Sequence, residues 1–280
     1  MRVCAHITFF YQETRVSFLQ KVVAGLQQWK EPTQLDIFIH TNACPEFRIP
    51  ELPSSPHPQS SSKIICYSLG AEHPFYLSWK CRDLLRLQAS SYDVFIYLED
   101  DIYLPPAALS YWLAEVERVG DAGYTPGFLR IETNSEGAEF VTDLPGQKLQ
   151  PRVDTGLKNF ILHDQFPYCG FWIYRRREFE KWALTPYFNP ATVDGYGIRE
   201  ASAIGMMGMT ERQRAEWFRC AVLPIIQEGE EGEEGKEQNI KKITIDPCCR
   251  VYHLANNYVS GPSVFATIPF HHCVNNPITE

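Results

Sequence analysis

A chain of 280 residues that is 44% hydrophobic and 13% aromatic is long enough for one large α/β domain and too apolar to be disordered throughout. Its formal net charge of −8 argues against nucleic acid or anionic membrane as partners, because both draw on clustered Lys and Arg, so any phosphate it binds needs a local device. No run reaches the length of a membrane span, residues 1–11 lack the parts of a signal peptide, and no Asn-x-Ser/Thr sequon occurs. The chain reads as a soluble cytoplasmic protein whose nine scattered cysteines are mostly reduced core thiols.

Arg2 to Phe10 reads as a buried strand, after which Val16, Leu19, Val22, Val23 and Leu26 fall at helical spacing up to about Trp29. Leu35 to Asn42 is a second strand ending in polar groups, which completes a βαβ unit with a right-handed crossover. Pro and Ser dominate from Ile49 to Ser62, a surface excursion without periodicity, and a short strand resumes over Lys63 to Leu69. Pro74 opens a helix that carries Leu77, Cys81, Leu84 and Leu85 on one side and ends near Ser91.

The next segment, Val94-Phe-Ile-Tyr-Leu-Glu-Asp-Asp-Ile-Tyr-Leu-Pro105, runs five apolar residues straight into three carboxylates. An apolar run without alternation suits a strand covered on both faces, and ligands of such sheets bind beyond the carboxyl ends of the strands. Adjacent carboxylates stay ionised only beside positive charge, for which a hard divalent cation holding a phosphate ester is the commonest source; a solvated acidic turn is the other reading. Along a strand Glu99 and Asp101 face one way and Asp100 the other, so at most two of them meet one ion unless the strand has already turned. Asp101 is the first choice for metal contact.

Pro105 and Pro106 start a helix whose stripe of Leu109, Trp112, Leu113 and Val116 stops at Gly120. Phe128 to Thr133, Glu139 to Thr142 and Lys158 to His163 are short strands divided by turn residues, an antiparallel extension. Cys169 to Tyr174 is a further strand, feeding a basic, aromatic helix over Arg175 to Trp182. Asp194-Gly-Tyr-Gly-Ile-Arg-Glu200 is a glycine-rich turn entering a helix that extends toward Met206 and Met207. Gly and Glu alternate over 228–237, a mobile surface loop, and the last strand spans Cys249 to Leu254.

This order of elements, with Glu99-Asp100-Asp101 closing the fourth strand, a later acid at a helix start and a C-terminal strand bearing His253, resembles the GT-A nucleotide-sugar glycosyltransferases over nearly the whole chain. The tripeptide is similar to the Glu-Asp-Asp form of N-acetylglucosaminyltransferase I-like members. The resemblance implies one GT-A domain over 1–280: an α/β, Rossmann-like mixed sheet, mainly parallel, with helices on both faces and a small antiparallel extension. Residues 1–104 would then form the nucleotide-binding half and 105–280 the acceptor-binding half.

The same likeness implies Mn2+ or Mg2+ held by Asp101, with Glu99 as a further ligand or, with Asp100, orienting the ribose or sugar. His253 matches the histidine that touches the metal or diphosphate. Tyr11, Arg15, Thr41 and Asn42 follow the first two strands, where the base would lie, and Lys80 stands where a cation faces the diphosphate. Glu200 matches the acid that takes the proton of the acceptor hydroxyl in inverting members, and Asp194 is its rival. Tyr168, Phe171, Trp172 and Tyr196 would line the acceptor side.

Plainer readings stand beside these. Glu200 complements a helix dipole, His253 is a core histidine satisfied by a backbone carbonyl, and Lys80 and Arg82 are solvated helix residues. Arg199 beside the proposed base weakens it if the side chains meet, which leaves a retaining outcome open beside the favoured inversion. The function expected is transfer of a sugar from a nucleoside-diphosphate sugar to a hydroxyl of a glycan or other acceptor. One alternative is a zinc-binding module built from Cys248, Cys249, His253, His271, His272 and Cys273, whose spacings do not reproduce the separated pairs of structural zinc sites. Another is a non-catalytic GT-A-like binding protein. A sugar-nucleotide pyrophosphorylase needs a glycine-rich loop after the first strand, and residues 8–15 contain no glycine.

Overall fold

Apolar strands separated by amphipathic helices give an α/β protein with mixed sheets, seen in a computed structural model that describes residues 1–42, 60–144, 146–150, 157, 159–163, 168–189, 197–208, 220–229 and 240–275. In chain order the elements are β1 (Arg2–Phe9), α1 (Val16–Gln27), β2 (Gln34–Thr41), β3 (Ser61–Cys66), α2 (Arg82–Leu87), β4 (Val94–Glu99), β5 (Ile102–Tyr103) and α3 (Pro106–Asp121). There follow β6 (Thr125–Pro126), β7 (Leu129–Thr133), β8 (Glu139–Val141), β9 (Phe160–His163), β10 (Phe171–Arg175), α4 (Arg176–Ala183) and α5 (Ile198–Ala203). The last strands are β11 (Ala221–Gly229), β12 (Ile240–Ile245), β13 (Arg250–His253) and β14 (Ile268–Pro269).

Two compact units result. The first takes Met1–Pro106 and Tyr168–Thr210, and the second Ala107–Pro167 and Glu211–Glu280. Residues 168–210 therefore pack with the nucleotide-binding half expected from the sequence. No helix among the described residues is long and apolar enough to cross a membrane.

In the first unit the sheet order is β10-β4-β1-β2-β3, with β1 to β4 parallel and β10 antiparallel on β4. Every residue of β4 is buried, as are all of β1 after Arg2; Val94 to Leu98 of β4 are apolar throughout, and β1 is apolar apart from His6 and Thr8. Val16, Leu19, Val22, Val23 and Leu26 are the buried face of α1, and Gly25 leaves room for the Tyr103 ring, which a Cβ there would strike. Asp36 pins the exposed edge strand β3: its carboxylate accepts from Ser61 N at 2.9 Å, Ser61 Oγ at 2.6 Å and Tyr92 OH at 2.8 Å. Two buried histidines lie at the sheet centre. His6 Nδ1 meets His40 Nε2 at 2.9 Å, His6 Nε2 meets Gln88 Oε1 at 2.9 Å, and His40 Nδ1 meets Tyr67 OH at 2.9 Å. Burial holds His40 down at about 4, and burial followed by the charge of His40 lowers His6.

The single helix expected from Pro74 to Ser91 is two pieces, a 3-10 segment over Pro74–Trp79 and then α2. Ser78 Oγ bonds back to Phe75 O at 2.8 Å, the kind of local bond that competes with α-helical pairing.

The second unit carries the expected antiparallel pairing, β7 with β8, β9 with β11, β11 with β12 and β8 with β14, and adds parallel pairs to it. One sheet there has β12-β11-β6 with β9 also on β11, and the other holds β14-β8-β7-β13. The β6–β11 and β7–β13 pairs are parallel; both join strands far enough apart in sequence for the long connection that a parallel pair requires. Glu228 and Gly229 close β11, so the run read as a loop begins inside a strand; residues 230–237 lie outside the described residues.

Candidate functional site

From β1 the chain runs outward through β2 and β3 and then returns to lay β4 on the other flank of β1. That reversal leaves a crevice at the carboxyl ends of β1 and β4, the place where open α/β sheets bind ligands. A cavity of about 220 Å³ opens there. Thr8 lines it from the end of β1 and Phe10, Gln12 and Arg15 from the segment that follows, Glu99 from the end of β4 and Asp100 from the turn after it, Pro74 to Ser78 contribute Pro74, Phe75, Leu77 and Ser78, and Arg199 completes it.

β4 stops at Glu99 and the backbone turns at Asp100 and Asp101, so strand alternation no longer applies to the acidic run. Both aspartates reach one guanidinium. Arg15 Nε donates to Asp100 Oδ2 at 2.9 Å and Nη2 to Asp100 Oδ1 at 2.9 Å, while Nη2 stands 2.9 Å from Asp101 Oδ2. Burial pushes the Asp100 carboxyl up to about 7; the bonds from Arg15 oppose this and the Asp101 charge adds to it. For Arg15 burial works against the charge, but the two aspartates outweigh it and hold the guanidinium protonated.

Glu99 is anchored separately. Its N–H donates to Gly170 O at 3.1 Å, and its Oε1 accepts from Tyr168 OH at 3.2 Å and lies 3.7 Å from Arg199 Nε. Gly170 has φ +72°, and a Cβ there would lie 2.8 Å from Ile102 Cγ1, so this close approach requires glycine. Arg199 Nη2 is 3.6 Å from Glu200 Oε1, so the arginine links the acidic strand end to the proposed base, and Glu99 is the main reason its charge is favoured.

Glu200 sits in the first turn of α5, its carboxylate folded over Gly197, where an added Cβ would collide with it. A six-residue helix does not hold itself together, and side chains clamp this one. Trp79 Nε1 donates to Ile198 O at 2.8 Å, Arg82 Nη2 and Trp172 Nε1 donate to Ser202 O at 2.8 and 3.2 Å, and Tyr97 OH meets Ser202 Oγ at 3.2 Å. Arg82, read as solvated, is instead buried over the rings of Trp79, Trp172, Trp182 and Phe188 at 4.5–5.4 Å.

The other expected residues divide as follows. Asn42 Oδ1 accepts from Tyr11 N at 2.8 Å, and with buried Thr41 these residues tie the ends of β1 and β2 together without lining the cavity. Lys80 pairs with Glu72 at 2.6 Å rather than facing the cavity, because Glu72 is the carboxylate within its reach. Phe171 and Trp172 are core rings, Trp172 stacked on Tyr97 and Tyr174, rather than an acceptor surface. Asp194 and Tyr196 lie outside the described residues. His253 lies in the second unit, where its Nδ1 meets Glu132 Oε1 at 2.5 Å, so the buried partner is a carboxylate rather than a carbonyl. Glu132 also accepts from the N–H groups of Tyr258 and Val259 at 2.9 and 2.7 Å. Sequence reasoning missed Glu132, Gln12 and the Pro74–Ser78 wall; only the aromatic density of residues 74–79 marked any of them.

Among the described residues no three His, Cys, Asp or Glu side chains gather as a metal cage, the C-terminal cysteines and histidines included. The donors at the cavity still fit a hard cation of the magnesium type, which takes one or two carboxylates and leaves the rest of its shell to phosphates and water. A cationic guanidinium already stands between Asp100 and Asp101. No family model matches this chain, and no curated protein matches it.

Proposed function

We propose that the chain is a GT-A-type, metal-dependent glycosyltransferase that moves a sugar from a nucleoside-diphosphate sugar to a hydroxyl of a glycan or similar acceptor, with inversion. The observation that carries this reading is the cavity at the β1/β4 switch point, rimmed by Glu99 and Asp100 and flanked by Arg15 and Arg199.

Asp101, with Glu99 or Asp100, is the proposed holder of Mn2+ or Mg2+, which when bound supplies positive charge to the departing diphosphate. Arg15 and Arg199 bring fixed positive charge to the same space, where a diphosphate leaving group gains charge as its bond to the sugar breaks. Phe10 and Phe75 offer apolar faces on which a base or the C–H face of a sugar rests. As the acceptor oxygen bonds to the anomeric carbon, Glu200 takes the hydroxyl proton; Arg199, whose Nη2 stands 3.6 Å from Glu200 Oε1, orients the carboxylate and by the same contact keeps a retaining outcome as the second reading. Asp194 remains the rival for that role.

Thermal unfolding of the purified protein with UDP, GDP, ADP or CDP, each with and without MnCl2, tests the reading. At least one nucleotide should raise Tm only when Mn2+ is present. If none of the four moves Tm under either condition, the nucleotide-sugar assignment fails.

A further inference from the structure

We infer that Arg15 is an exchangeable counter-ion that keeps Asp100 and Asp101 closed to a lone divalent cation, so that cation and phosphate-bearing ligand enter this site as a pair. The inference rests on the transferase reading for the identity of the phosphate ligand, and on geometry for everything else.

The carboxylates of Asp100 and Asp101 are 4% and 3% exposed as residues, whereas the Arg15 side chain is 23% exposed and lines the cavity. The guanidinium is therefore the part of this cluster that an entering ligand meets first. Its two bonds to Asp100 and its contact with Asp101 use the planar fork of an arginine in a bidentate grip. A cation arriving alone has to break that grip and leave a guanidinium without its carboxylates, beside a second like charge. A phosphate arriving alone meets the carboxylates of Glu99 and Asp100, and both arginines of the cavity, Arg15 and Arg199, are already paired with carboxylates.

Together the two ligands remove both costs. The cation replaces the guanidinium between the aspartates, and the guanidinium turns to the phosphate, its strongest alternative partner. Arg15 ends the short 3-10 turn Glu13–Arg15, whose backbone is held by Arg15 N donating to Gln12 O at 2.9 Å, so the exchange needs only the side chain to move. By linkage, whatever factor the anion lends the cation, the cation lends the anion, and such factors run about 5- to 150-fold.

Equilibrium dialysis of Mn2+ against the intact protein, with ligand in both chambers, reads this directly. For the wild type, UDP or inorganic pyrophosphate should raise Mn2+ retention at least about fivefold. Arg15→Met should bind Mn2+ unaided about tenfold more tightly than the wild type and lose most of the anion effect, and Mn2+ alone should raise its Tm. Arg15→Lys, whose ammonium holds one carboxylate, should fall between, and it serves if the methionine variant does not fold. Pyrophosphate acting where UDP does not would sustain the counter-ion role and defeat the nucleotide reading. Wild-type Mn2+ affinity indifferent to both anions, or unchanged on replacing Arg15, overturns the inference.

Discussion

Acidifying the protein from about pH 7.5 to about pH 5 places a defined load on the paired histidines at the centre of the first sheet. His40 has its folded value lowered from 6.5 to about 4 by burial, so above pH 6.5 neither folded nor unfolded chain carries the proton. Below that value the unfolded chain takes it up and the folded chain does not, and stability is lost until about pH 4. At about pH 5 roughly 1.5 pH units have been crossed at about 1.4 kcal/mol each, a loss of about 2 kcal/mol from His40 alone. Asp100 works in the opposite sense: with its folded value raised from 3.8 to about 7, it gains stability as the pH falls through the same window. The wild-type profile by itself is therefore not diagnostic. The useful quantity is the difference between wild type and His40→Gln, in which the Asp100 contribution cancels because the two groups share no partner. Urea unfolding followed by tryptophan fluorescence at both pH values should show the wild type losing at least about 2 kcal/mol more than the variant, because removing His40 also relieves its neighbour His6 of part of its load. Equal losses, within about 0.5 kcal/mol, would refute the claim that His40 is held neutral by burial.

Gly170→Ala combines a left-handed backbone with a Cβ 2.8 Å from Ile102 Cγ1, and should destabilise by about 2 kcal/mol, lowering Tm by about 4–8 °C in a calorimetric scan. An unchanged melting point would mean that the Gly170 turn is not packed as described. Gly197→Ala displaces the Glu200 carboxylate without touching the core, so in a transferase assay kcat should fall at least about tenfold while KM for the donor stays within about twofold. A fall in donor affinity instead would place Glu200 at the nucleotide. Asp101→Ala should abolish turnover and leave the fold intact, since Arg15 keeps its two bonds to Asp100; full activity in this variant would remove Asp101 from metal binding.

Much of the first sheet was legible because a parallel strand buried on both faces is mostly apolar without alternation, as Val94 to Leu98 of β4 is throughout and β1 and β2 are apart from polar positions such as His6, Asp36 and His40. The α1 stripe was legible for the complementary reason, its buried residues recurring at helical spacing. β11 was not, because Pro224 interrupts its apolar run and proline usually argues against a strand interior. The ladder is built around it: the Pro224 carbonyl accepts from Asp246 N at 2.9 Å, and the next residue, Ile225, donates to Asn159 O at 3.0 Å. The parallel pairs β6–β11 and β7–β13 were hidden because nothing local to any of these strands records which remote strand lies beside it.

At the site, the position of Glu99-Asp100-Asp101 at the end of a buried strand could be read from an apolar run ending in acid, while its counter-ions could not. Lys80 stands two residues before Arg82 in a segment that leads to the acidic strand, yet neither cation serves it: one pairs with Glu72 and the other is enclosed by aromatic rings. The partner of Asp100 lies 85 residues away. Parallel pairing explains why. β1 and β4 lie side by side with Thr8 opposite Glu99, and Asp100 N donates to Thr8 O at 3.1 Å, so whatever follows one strand is delivered to whatever follows the other. Once that adjacency is known, the first cation after β1 is the natural neutraliser of the acids after β4, and Arg15 is that residue. A residue between β1 and α1 whose charge is set by β4 can be identified only by strand order, which is a property of the whole sheet and not of any segment of it.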